Sequence, residues 1–175
     1  MANKLLVIVD MQNDFITGTL ANTEGQKIIP GIVELIKNFD GDIIVTRDTH
    51  HENYLDTQEG KRLPVVHCIE NTEGWKIVPE IQAALDAKPE ATVTYIDKPT
   101  FGSIALGERV ARKLYDKVEL CGVCTDICVI SNAMVIKACA IETNVAVHKD
   151  LCAGVTPDTH KTALDAMAGC QIDII

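Results

Sequence analysis

Three cysteines fall in one stretch, ELCGVCTDICVI at residues 119–130, with the spacing C-x-x-C-x-x-x-C: Cys121, Cys124 and Cys128. Four chemistries fit that spacing: a metal knot, a redox pair, plain packing, or one nucleophile with two bystanders. A free cysteine is most often a small buried apolar residue. Cys128 has a second reading. Thr125 is a helix-capping residue by type, which would put Cys128 in the first turn of the helix that follows. There the helix dipole and free backbone N–H groups are expected to lower the thiol pKa and to hold a developing oxyanion.

Two other reactive groups end apolar runs. Asp10 closes KLLVIVD (4–10), and Lys98 closes ATVTYIDK (91–98), just after Asp97. Taken singly, the carboxylate reads as a turn cap and the lysine as an exposed cation. With a thiol they supply a base, a cation and a nucleophile. A second constellation lies in RDTHHENYLDTQEGKRLPVVHC (47–68). Asp48 and His50 are two apart, so an extended segment turns them to the same side, and His51 to the other. His67 and Glu59 follow in the same stretch. Carboxylate and imidazole together suit Zn, Mn or Fe. D-x-H alone is a weak signal, and solvated loop residues would look the same.

These residues need elements to position them. KLLVIVD (4–10), DIIVTRD (42–48), ATVTYIDK (91–98), KVELCGV (117–123) and NVAVHKD (144–150) read as strands, with CQIDII (170–175) as a sixth. They are continuous apolar runs, so both faces of the sheet should be covered. Helical patterns alternate with them at 28–39, 78–87, 103–115, 125–140 and 156–168, with Ser103 and Thr156 as caps. The alternation predicts one α/β domain over 1–175, a doubly wound parallel sheet of about six strands with helices on both faces. In such sheets ligands bind beyond the carboxyl ends of the strands. Asp10, Asp48, Lys98 and Cys128 all lie there. The longest stretch without a pattern is 49–76, which marks it as a functional loop.

The bulk numbers set limits. The chain has 175 residues, 47% of them hydrophobic and only 4% aromatic, so the few aromatics are candidate pocket walls. A net charge of -9 repels phosphate backbones and argues against nucleic acid as a partner. The N-terminal apolar run Leu5–Val9 is too short for a signal peptide, and no run reaches transmembrane length, so no membrane partner is expected. Seven cysteines, an odd number, point to free thiols in a reducing cytosol.

Taken together, VIVDMQNDF (7–15), DKPTFGS (97–103) and CGVCTDICV (121–129) resemble the isochorismatase-like cysteine hydrolase superfamily, and within it the nicotinamidases. The resemblance spans nearly the whole chain. It implies a Rossmann-like fold and a catalytic triad of Asp10, Lys98 and Cys128. It also implies a cis peptide between Val123 and Cys124 that turns the Cys124 N–H toward an oxyanion. Phe15 matches a pocket aromatic, and Phe101 and Tyr54 are added as pocket candidates. TRDTHHENY and LPVVHCIENTEGW resemble nicotinamidase metal segments, which implies Asp48, His50 and His67 as ligands of a divalent ion, zinc before manganese or iron; Glu59 is a candidate fourth ligand, and Tyr54 stands near where some relatives carry a further histidine instead. Leu63, Pro64, Val65 and Val66 stand where nicotinamidases often carry an aromatic.

The activity so implied is hydrolysis of nicotinamide or a similar small carboxamide to acid and ammonia through a Cys thioester, in a cytoplasmic homo-oligomer. Two rivals belong to the same superfamily: hydrolysis of another amide, carbamoyl or ureido substrate, and isochorismatase-type cleavage. From a different class comes a thiol-based metal or redox module built on Cys121, Cys124 and Cys128.

Overall fold

The computed structural model describes residues 3–89 and 92–175. Six parallel strands form one sheet: β1 (Lys4–Val9), β2 (Asp42–Asp48), β3 (Val93–Lys98), β4 (Lys117–Val123), β5 (Asn144–Ala153) and β6 (Asp173–Ile174). Their order is β3-β2-β1-β4-β5-β6. The chain winds outward one way through β2 and β3, then restarts beside β1 with β4 and winds the other way. The strand order therefore reverses between β1 and β4, and a crevice opens beyond their carboxyl ends. Ala91, placed at the start of a strand from sequence, lies outside the described residues.

Successive residues of the central strands go to opposite faces. Leu6 and Ile8 of β1 join Ile43 and Val45 of β2 on one face. There they meet Ile28, Ile32 and Ile36 of α2 (Thr23–Asn38) and Ile81 and Leu85 of α4 (Pro79–Asp86). Leu5, Val7 and Val9 take the other face. They pack with Leu106 and Val110 of α5 (Ile104–Lys113), Ala133 and Ile136 of α6 (Ile130–Cys139), and Met167 of α7 (Pro157–Gly169). Every β1 residue from Leu5 to Val9 is fully buried, each such side chain contributing about 1.5–3 kcal/mol. The edge strand β3 is less covered, which departs from the expectation of full burial on both faces.

Several boundaries differ from the sequence expectation, each for a local reason. α2 starts at Thr23 instead of residue 28, because Asn22 Oδ1 accepts the N–H groups of Glu24 and Gly25, both at 3.0 Å. Its first turn is polar, so apolar periodicity misses it. The helix expected over 125–140 divides into a wide π turn, Thr125–Val129, and α6. The loop 49–76 holds a 3-10 turn, Tyr54–Asp56, and the short α3 (Gln58–Arg62). A further short helix, α1 (Asn13–Ile16), follows β1. Ser103 caps α5 and Thr156 caps α7 as expected. No helix among the described residues is long and apolar enough to cross a membrane.

Candidate active site

Three strand ends on one edge of the sheet deliver the reactive groups to one point. Lys98 closes β3, Asp10 follows β1, and Cys128 lies in the turn after β4. Lys98 Nζ stands 2.6 Å from Asp10 Oδ2 and 3.6 Å from Cys128 Sγ. It also donates to the Thr100 carbonyl at 3.1 Å and faces Asp48 Oδ1 at 3.7 Å. Thr46 Oγ1 donates to Asp10 Oδ1 at 2.7 Å, a buried contact that no sequence motif announced. Asp10 Oδ2 has no aligned hydrogen-bond donor despite its short contact with Lys98, so it keeps a lone pair for a proton. Asp10 itself sits at φ 50°, a left-handed conformation that costs a non-glycine residue energy and re-aims its side chain off the strand.

Burial sets the proton states. It raises the Asp10 carboxyl, against the opposing pull of Lys98. It works against the Lys98 charge too, but Asp10, Cys128 and Asp48 outweigh it and hold the ammonium above its ordinary range. The Cys128 thiol is pushed well up, by burial first and by the Asp10 carboxylate second, with Lys98 opposing. This overturns the expectation that a helix start would lower it. Removing the thiol from water disfavours its charged form. The capping expectation fails as well. Thr125 makes no cap; its hydroxyl shares a 2.8 Å hydrogen bond with His160 Nδ1 of α7.

The Val123–Cys124 peptide is cis, as the resemblance implied. The Cys124 N–H makes no hydrogen bond among the described residues, which leaves it available to a ligand. Its thiol borders the cavity, and burial raises it to about 12. Cys121 is fully buried within β4. Among the described residues these three cysteines form no group with metal-ligand geometry, so the thiol module reading loses its basis.

The ligand-like group lies one strand over. One donor atom each from Asp48, His50, Glu59 and His67 lie within 4.8 Å of one another. His50 Nε2 is 2.9 Å from Asp48 Oδ2 and 3.6 Å from Glu59 Oε1. His67 Nε2 is 3.4 Å and 3.8 Å from the same two oxygens. His67 Nδ1 donates to the Val65 carbonyl at 2.7 Å, so a neutral ring turns a bare Nε2 toward the carboxylates. Electron-rich atoms facing one another this way need a cation or a proton among them. Donors about 2.1 Å from one ion would stand about 3.4 Å apart, close to the separations found. His51 is exposed and turned to Glu70 instead.

Tyr54, expected in the pocket, is fully buried and does not line it. Its ring packs at an angle against both histidines, with centroids 4.6 Å from His50 and 5.0 Å from His67, and its hydroxyl donates to the Leu63 carbonyl at 2.9 Å. The 3-10 turn carries the side chain inward, so Tyr54 fixes ring orientation. Gln12 is a second residue that sequence reasoning passed over. Its side chain accepts the Asp48 N–H at 2.7 Å and donates to the Asp48 carbonyl at 2.8 Å, which pins the backbone of the shared carboxylate.

A cavity of about 500 Å³ opens over both groups. Cys128, Asp48, Glu59 and His67 border it, and Phe15, Leu63, Phe101 and Ile127 supply apolar walls. The Phe15 ring lies 5.5 Å from that of His67. Phe15 and Phe101 both line this cavity, and a flat apolar ring would have room between these walls and the imidazole.

Known proteins resemble this chain in sequence and architecture. Residues 4–175 match the family described as Isochorismatase domain. An uncharacterised isochorismatase family protein of Bacillus subtilis is 31% identical, covering 97% of this chain and 98% of its own length. The nicotinamidase/pyrazinamidase of Mycobacterium tuberculosis is 27% identical over 98% of each chain. Among solved structures, the pyrazinamidase of Pyrococcus horikoshii in complex with zinc superposes with a TM-score of 0.82 at 29% identity, covering 99% of this chain and 98% of its own. With the match running from the first strand to the last, through every element that carries the site, the chain belongs to the isochorismatase domain family.

Proposed function

We propose that the protein hydrolyses nicotinamide, or a similar small flat carboxamide, to the acid and ammonia through a thioester on Cys128. The observation that carries this is Lys98 Nζ within reach of both Asp10 and Cys128 at the cavity floor, 2.6 Å and 3.6 Å away. The relatives named nicotinamidase and pyrazinamidase support the substrate class.

In this mechanism the resting thiol is neutral and Asp10 is ionised, held by Lys98. When the amide enters, Cys128 Sγ attacks the carbonyl carbon as its proton passes to Asp10. The N–H groups of Cys124 and Cys128 hold the tetrahedral oxyanion, each donor worth about 3 kcal/mol. Asp10 returns the proton to the departing nitrogen, the C–N bond breaks, and ammonia leaves. Asp10 then takes a proton from water, hydroxide adds to the thioester, and the acid departs as the thiol is restored. A divalent ion held by Asp48, His50, Glu59 and His67 would supply a Lewis-acidic anchor for a ring nitrogen; the zinc-bound relative favours zinc. The walls Phe15 and Phe101 grip the ring faces.

The seven free cysteines support a reducing, cytosolic setting for this single hydrolase domain. A homo-oligomer rests on the family resemblance, and light scattering that returns a monomer mass at micromolar protein would refute it.

The decisive variant is Cys128→Ala, which should lose ammonia release while keeping the wild-type circular dichroism spectrum. Wild-type turnover in that variant would end the thiol mechanism. A screen of nicotinamide, pyrazinamide, N-carbamoyl compounds and ureido acids, with and without metal, tests the substrate class. A preference for the last two would overturn the carboxamide assignment.

A further inference from the structure

Asn132 lies in α6, one turn past the nucleophile, and is fully buried. Its carboxamide is used at every corner that the fold presents. Nδ2 donates to the Cys128 carbonyl at 2.8 Å and to the Phe101 carbonyl at 3.1 Å. Oδ1 accepts the Ser103 N–H at 3.0 Å. Phe101 and Ser103 belong to the loop that follows Lys98, and the same loop presents the Thr100 carbonyl to Lys98 Nζ at 3.1 Å. Among the described residues, the hydrogen bonds joining residues 98–103 to residues 124–132 are the Lys98–Cys128 contact and the two that Asn132 makes. The two segments are also in close contact here. A Cβ on Gly102 would stand 3.2 Å from the Ser131 carbonyl oxygen.

We propose that Asn132 is a positioning residue that sets the Cys128 turn against the Lys98 loop. Its side chain holds the nucleophile's own carbonyl and the loop's backbone in one rigid link. Only a carboxamide of this length offers a forked donor and an acceptor together. An aspartate would keep the bond from Ser103 N–H but face two carbonyl oxygens without a donor. A leucine would fill the space and remove all three hydrogen bonds from a dry site. Asn132 does not line the cavity, so its effect reaches the reaction through the placement of Cys128.

The proposal rests on the thiol chemistry proposed above, and its test has an arm that needs no substrate. Asn132→Leu and Asn132→Asp are compared with Tyr115→Phe, a remote control that loses the part-buried hydrogen bond to Asp42. Three quantities are read: thermal midpoint, kcat and KM for nicotinamide, and the rate of Cys128 alkylation by iodoacetamide at fixed pH, followed by mass spectrometry. The expected result is a kcat at least tenfold lower with KM within threefold, and an alkylation rate changed at least threefold, in whichever Asn132 variant is folded. The control should lose midpoint without either change. A folded Asn132 variant with kcat and alkylation rate within twofold of wild type overturns the proposal. So does a loss that matches the control at equal midpoint. If neither Asn132 variant folds, the residue serves folding alone and the proposal falls. Wild-type protein that alkylates at Cys128 but releases no ammonia from nicotinamide would refute the substrate assignment, and the alkylation arm would still decide the role of Asn132.

Discussion

Lys98 is 1% exposed, and a cation so deeply buried persists only because Asp10, Asp48 and the Cys128 sulfur surround it. The pair with Asp10 is therefore costly to break from one side. Lys98→Met leaves a buried carboxylate unpaired, and Asp10→Asn leaves a buried ammonium. Each should cost about 3–5 kcal/mol of stability by urea titration, and at least ~100-fold in kcat. The double variant removes both charges and should recover most of the stability while staying inactive. Stability losses that simply add would show that the pair is not a mutually compensated unit. The gathering of Asp10, Lys98 and Cys128 was legible in sequence because all three stand at or just beyond strand ends, where an open parallel sheet collects its polar groups. Thr46, Gln12 and Asn132 were not. Their work is to hold partners that the fold, not the local sequence, brings near: Gln12 meets Asp48 across 36 positions of chain. The Cys128 thiol was misread for the same reason. Helix dipoles are visible in local sequence, whereas burial is a property of the finished fold.

At the level of elements, β1 and β4 carry the tightest tolerance. Gly122 lies at φ 119°, and a Cβ there would stand 2.2 Å from the Val9 carbonyl oxygen. Only glycine lets the end of β4 approach β1 this closely, immediately before the turn that bears Cys124 and Cys128. Gly122→Ala should therefore destabilise the protein by more than ~1 kcal/mol and reduce kcat, because β4 must shift away from β1 and take Cys128 with it. An alanine variant with wild-type midpoint and turnover would show that the strand ends are less constrained than their contact implies. The strands themselves were readable from their apolar β-branched runs, and the caps Ser103 and Thr156 from residue type. The start of α2 was hidden by its polar first turn, and the π turn at Thr125–Val129 carries no periodic signature that separates it from the helix it precedes. The segment 49–76 showed no pattern because a 3-10 turn and a five-residue helix are too short to establish one.

For the molecule as a whole, that long segment is the part that brings Glu59 and His67 to the proposed metal group. Protein contacts hold its two ends. Arg47 lies over the Trp75 ring at 3.9 Å while pairing with Asp97, and Gln12 donates to the Trp75 carbonyl at 2.9 Å. Asp14 accepts the Cys68 N–H at 2.8 Å. Between these anchors, Glu59 on α3 and His67 meet Asp48 and His50 from the end of β2. An ion there would tie loop to sheet and would be lost on unfolding, so binding should appear as stability. At free zinc about 100-fold above its dissociation constant the gain is about 2.7 kcal/mol, and a chain of this size gains roughly 2–4 °C in thermal midpoint per kcal/mol. Protein stripped by chelator should therefore melt roughly 5–11 °C lower than zinc-loaded protein, and manganese or iron should restore part of the difference. In the variant His50→Ala/His67→Ala the midpoint should no longer respond to metal, while Asp10, Lys98 and Cys128 stay in register because β1, β3 and β4 hold them independently of the loop. A wild-type midpoint indifferent to chelator and zinc would remove the metal from the site. A midpoint that responds to zinc equally in wild type and the double variant would place the ion elsewhere on the molecule.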